Sequence, residues 1–155
     1  MYRHATYNLW FHDDAELSVA IGSAVVARTT LHEWPLSVVQ RVECADGGRH
    51  IYKVQASPTV EPEFYAVARS PIVVGAQVLP ASNGPAALLL DEIQSPHMSE
   101  LQLPVAQRMA VVDDLLDHIG QIDGDVPAMY DLRGREGWSE FFQAIGLQLA
   151  GDRRR

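Results

Sequence analysis

One lysine, Lys53, stands among the twelve basic side chains; the other eleven are arginine. Lysine is a compact point charge on a flexible stem, whereas arginine is a wide planar fork. A position that keeps lysine against such a bias is either one where a fork does not serve or one where a surface lysine survived by chance, and position 53 alone leaves both open. The stretch around it, "RHIYKVQASPTVEPEFY" (residues 49–65), alternates like a strand. Ile51, Lys53 and Gln55 then share one face, and Tyr52 and Val54 the other. An ammonium fixed on a rigid strand and facing a cleft supplies charge to an anion. Two carboxylates follow, Glu61 and Glu63, where acidic side chains also favour the positive end of a helix whatever the function.

Other chemistries find little support. His4, His12, His32, His50, His97 and His118 show no pairing at i+3 or i+4 and no H-E-x-x-H pattern, so no metal centre is expected. The single cysteine, Cys44, excludes an internal disulfide and a Cys-x-x-Cys metal site; it sits beside a turn with only Arg41 as a basic sequence neighbour and reads as structural. "DGDVPAMYDLRG" (123–134) lacks the glycine and the bidentate glutamate of a calcium loop. No G-x-S-x-G marks a hydrolase. The net charge is −8 and the only basic cluster is the terminal "RRR", so nucleic acid is not an expected partner. No apolar run approaches the ~20 residues of a membrane span. The opening residues lack the apolar core of a signal peptide. A soluble cytoplasmic chain with no membrane partner is expected. Its 155 residues, 47 % hydrophobic, are enough for one core without staples.

The elements that position these residues read as follows. Asp13 and Asp14 open a first helix with Leu17, Ala20, Ile21 and Ala24 at helical spacing. "AVVARTTLHEW" (24–34) is β-branched and strand-like, up to Pro35. Ser37–Glu43 and His50–Gln55 form a hairpin about Asp46-Gly47. A short helix follows Pro58, with Thr59 as cap and Pro62 in its first turn. "IVVGAQVL" (72–79) and "AALLLDEI" (86–93) read as strands, the second leucine-rich enough to be buried on both faces. After the linker "QSPHMS", a helix begins at Ser99 or Glu100; its Met109 to Ile119 stripe is expected to pack into a core. "WSEFFQAIGLQLAG" (138–151) is a last helix. Strands first and helices last give an α+β fold: an antiparallel sheet of about five strands, a short helix between strands three and four, and two C-terminal helices.

This order, with a lysine in the hairpin's second strand, resembles the N-terminal lobe of protein-kinase-like enzymes, and more closely the aminoglycoside phosphotransferase and small-molecule kinase branch, over roughly Trp34 to Asp123. "HIYKVQ" resembles the third strand of that lobe, "VEPEFYAVAR" its helix, "PAALLLDEIQSP" the fifth strand entering the hinge, and "VVDDLLDHIGQID" the helix after the hinge. The resemblance implies residues 1–95 as a nucleotide-binding lobe with a leading helix, and 96–155 as hinge-following helices that start a second lobe. It implies ATP as cofactor, with magnesium held only if that second lobe is present. It implies that Lys53 holds the phosphates and that Glu63 orients it, Glu61 lying nearer the frayed helix end. It implies that Ile51 roofs the adenine, with Val38 or Val42 beside it, and that backbone at Asp91, Glu92 and Ile93 reads the adenine edge. Phosphoryl transfer needs its phosphates held in one pose and partly neutralised, which is the work such residues do.

The chain departs from that family in two places. The loop "LHEWPLS" lacks glycine; Ser37 is its candidate phosphate contact. The His-Gly-Asp loop with its asparagine and the later magnesium-binding aspartate are both absent, so no catalytic residue is assigned and the chain reads as a truncated, catalytically incompetent portion. A whole enzyme of this class needs roughly a hundred residues more by ordinary domain sizes. The Lys53–Glu63 spacing of ten residues is also short for the family. The phosphate acceptor stays unknown. The rival reading is a small α+β interaction module, with Lys53 a sheet residue and the exposed C-terminal helix promoting self-association.

Overall fold

The computed structural model describes residues 1–96, 98–127 and 135–152. His97, residues 128–134 of the rejected calcium loop and the terminal arginines lie outside the described residues. The chain folds as α+β around a five-stranded antiparallel sheet. In chain order the elements are β1 (Tyr2–Arg3), β2 (Trp10–Phe11), α1 (Asp14–Ile21), β3 (Val25–Trp34), β4 (Ser37–Cys44), β5 (Arg49–Gln55), α2 (Glu61–Val67), β6 (Ala76–Leu79), β7 (Ala87–Asp91), α3 (Val105–Gly120) and α4 (Arg135–Asp152). The sheet order is β3-β4-β5-β7-β6, so β5 is central, and α2 falls between the third and fourth strands in chain order.

The central hairpin is fixed by its turn. Gly47 takes the left-handed conformation that a side chain disfavours, and the Asp46 carboxylate accepts the Gly48 N–H at 2.9 Å. Register then sorts the side chains. Val38 faces Val54, Gln40 faces Tyr52 and Val42 faces His50 on one side; Val39 faces Lys53 and Arg41 faces Ile51 on the other. The first side is the core. Val38, Val42, Cys44, Tyr52, Val54, Leu79, Ala87 and Leu89 are buried there beneath Leu9, Phe11 and Leu17 of the N-terminal segment. Asp13 caps α1 with a reciprocal box to Glu16, and Gly22 ends it in the left-handed region, so the short helix sets Leu17 over the sheet.

A polar network is sealed into this core face. Tyr52 Oη accepts the His12 backbone N–H at 2.8 Å and lies 2.9 Å from His12 Nδ1. His12 Nε2 lies 3.0 Å from the Pro80 carbonyl, so Nε2 carries the proton and Nδ1 accepts from the phenol. The Arg28 guanidinium stacks 5.1 Å from the Tyr52 ring centroid while donating to the His12 carbonyl and to Gln40 Oε1. Burial pushes the Tyr52 phenol up to about 12.

Three expectations about the elements are corrected. The strand expected over 72–79 is only Ala76–Leu79. The helix expected from Ser99 or Glu100 starts at Val105, because Pro104 supplies no N–H and fits a helix entry. The apolar stripe of that helix is not core: α3 has no buried residue, and Val105, Met109, Leu116 and Ile119 are exposed. What ties the α3 end to the end of α2 is backbone. Arg69 and Asp123 exchange N–H···O bonds of 2.8 and 3.0 Å, and Gly124 lies against the Val67 carbonyl, where a Cβ would come within 2.5 Å. No helix among the described residues is long and apolar enough to cross a membrane.

Candidate functional site

Lys53 rises from the middle of the central strand, paired across to Val39 on one neighbour and Leu88 on the other. A side chain there stands on a backbone hydrogen-bonded on both sides, so its root is fixed. Its Nζ lies 2.6 Å from both carboxylate oxygens of Glu61. The lysine side chain is 22 % exposed and the glutamate 40 %, so the pair is partly withdrawn from water.

The expected partner is Glu63; the structure pairs Lys53 with Glu61 instead. Glu61 is the first residue of α2, eight positions after Lys53. The helix start is tied down: Thr59 Oγ1 accepts the Glu61 N–H at 3.3 Å and donates to Gln55 Oε1 at 3.0 Å, while Pro62 is buried in the first turn. Two residues on, about 200° round the helix, Glu63 is exposed and in no ion pair among the described residues. The expected cap is corrected: the N-cap is Val60, which makes no side-chain cap bond, and Thr59, one position earlier, accepts only the Glu61 N–H.

On the same sheet face, two residues before Lys53, Ile51 helps line a groove of about 660 Å³. Leu31, Arg41 and Arg49 join it from the sheet, Tyr65 from α2, and Asp91 to Ser95 from the segment leaving β7. The groove therefore gathers Ile51, Asp91, Glu92 and Ile93, all expected at one site. Lys53 and Glu61 do not line this groove; Tyr65, one turn after Glu61 on α2, does, and burial first, and then the Glu61 carboxylate, raise its phenol.

Other expected contributors fall elsewhere. Val38 and Val42 cannot roof this groove, since they are buried in the core on the opposite face; a one-residue step along β4 brings Val39 and Arg41 to the Lys53 side. The Asp91 backbone N–H is already donated to the Gly75 carbonyl at 2.9 Å, so it is not free to read a ligand edge. Ser37 does share the Lys53 face, opposite Gln55, but the loop before it is the two-residue turn Pro35–Leu36, and its Oγ accepts the Trp34 indole N–H at 3.1 Å.

The residues that sequence reasoning missed are Arg41, Arg49, Tyr65 and Glu61 as the partner. Arg41 Nε binds Glu92 Oε1 at 2.7 Å across the groove. Register was the available signal: once Val39 faces Lys53, Arg41 must face Ile51. Cys44 is buried, and burial with the nearby Asp46 carboxylate raises its thiol, which fits packing and opposes thiolate chemistry. Among the described residues no cluster of three or more His, Cys, Asp or Glu could hold a metal ion. No protein-family model, curated protein or solved structure matches the chain.

Proposed function

We propose that residues 1–95 form the ATP-binding lobe of a kinase-like small-molecule phosphotransferase, with 96–155 the start of a second lobe. The observation that carries this is the Lys53–Glu61 pair, on the sheet face that also carries the groove, two residues along β5 from Ile51. The carboxylate holds the ammonium in one rotamer on the central strand, and such a fixed charge suits the phosphates of a nucleotide. Sheet order, with the helix between the third and fourth strands, supports the same reading. The base lies in the apolar part of the groove between Ile51 and the segment from Glu92 onward, since the Asp91 N–H is occupied. Among the described residues none is assigned as catalytic base or magnesium ligand, so on this reading the chain binds nucleotide without transferring phosphate, and the acceptor is contacted elsewhere. Calorimetric titration of the full chain with ATP tests this: Lys53→Met abolishes a weak wild-type binding signal, and binding indifferent to that change sinks the reading.

A second reading is favoured by a separate observation, the uncovered face of α3. Val105, Met109, Val112, Leu116 and Ile119 recur at spacings of four and three, the seam of helix pairing. Trp138 and Phe142 of α4 are exposed too. On this reading the chain is an interaction module that associates with itself through these helices. Light scattering on the wild type and on Met109→Glu tests it; a monomer at all concentrations rules self-association out.

A further inference from the structure

We infer that Glu92 reads an N–H donor on the bound base, so that the groove takes a purine nucleotide bearing an N–H on its edge; this rests on the nucleotide reading above. The Glu92 side chain is only 9 % exposed. Its Oε1 is occupied by Arg41, but its Oε2 is buried with no donor among the described residues. A carboxylate oxygen taken out of water without a donor is costly, and a ligand N–H is the group that relieves it.

The surroundings fit a base better than a phosphate. Leu31, Ile51, Val74 and Ile93 give the groove apolar walls and Tyr65 an aromatic one. Its volume of about 660 Å³ is ample for a nucleoside. Asp91 and Glu92 offset Arg41 and Arg49 in this groove, and Arg41 is already paired with Glu92, so the phosphates are left to Lys53. Arg41 sets a donor beside the Glu92 acceptor. An adenine amino group next to a ring nitrogen, or the guanine N1–H next to O6, matches that donor–acceptor pair. The exposed end of Arg41, whose side chain is 35 % exposed, gives way as the base edge meets Oε2.

The test titrates the full chain with ATP, GTP and purine riboside 5′-triphosphate, which has no N–H on that edge. The better of ATP and GTP binds roughly tenfold or more tightly than the purine riboside compound; which of the two is better shows which base is taken. Glu92→Gln keeps the shape and the acceptor for Arg41 but turns Oε2 into a donor, and brings that ratio to about one or below. Glu92→Ala removes the acceptor and brings it to about one. Equal wild-type binding of all three, abolished by Lys53→Met, overturns the role of Glu92 and leaves the nucleotide reading standing. An unchanged ratio in Glu92→Gln does the same. Binding of none of them overturns both.

Discussion

Lys53 Nζ sits 2.6 Å from each carboxylate oxygen of Glu61, joining the central strand to the first residue of the helix that follows. The relationship makes Glu61 and Glu63 a natural comparison. Partly exposed pairs contribute at most about 1 kcal/mol. Glu61→Gln is expected to lower stability by about that much and Glu63→Gln by less than about 0.5 kcal/mol, read as urea midpoints. Equal losses would show that the carboxylates act only on the helix end.

Tyr52 gives a second contrast. Tyr52→Phe leaves the His12 N–H and Nδ1 without their partner in the core, at a cost of about 1–3 kcal/mol near neutral pH, measurable by chemical denaturation.

The same phenol makes an alkaline signature. Burial pushes it up to about 12, from the ordinary 10.0 of a free tyrosine. The native chain therefore keeps a proton that the unfolded chain releases, and stability falls as pH rises from about 10 through 12 while being fully present below that window. The loss amounts to about 2–3 kcal/mol. Denaturation midpoints across the window should drop less steeply in Tyr52→Phe; Tyr65 titrates in both chains and cancels. Parallel slopes would contradict the buried assignment.

Two glycines separate real packing limits from apparent ones. A Cβ at Gly124 meets the Val67 carbonyl at 2.5 Å, and its φ of +120° already disfavours side chains. Gly124→Ala should cost about 1–3 kcal/mol and speed amide exchange at Arg69 and Asp123. The atoms nearest a Cβ at Gly75 are those of the Asp91 carboxylate, the end of an exposed side chain that can rotate, so Gly75→Ala should shift the melting temperature little.

Much of the frame was legible because it rests on local rules. Alternation in residues 37–55 around Asp46-Gly47 predicts the hairpin and puts Lys53 opposite Tyr52 and Val54, as observed. "ALLLD" is buried on both faces at Leu88 and Leu89, as its composition suggests. What was not legible depends on partners distant in sequence. Val38 and Val42 look like roof residues until register assigns them to the core. The Arg41–Glu92 pair spans fifty-one positions and no spacing rule reaches it. Position alone puts Glu61 at a fraying helix end, and no propensity shows the Gln55–Thr59 bond that anchors it. The Met109 to Ile119 stripe has the pattern of a packed face, and a pattern does not say what covers it.

The central claim is that Lys53, held by Glu61, is the phosphate contact of a nucleotide site. Calorimetric ATP titration of Glu61→Gln and Glu63→Gln beside the wild type and Lys53→Met tests it most directly. The account predicts that Lys53→Met abolishes binding, that Glu61→Gln weakens it roughly five- to tenfold by freeing the ammonium, and that Glu63→Gln leaves it unchanged. Equal affinity across all four chains, or no binding by the wild type, would contradict it.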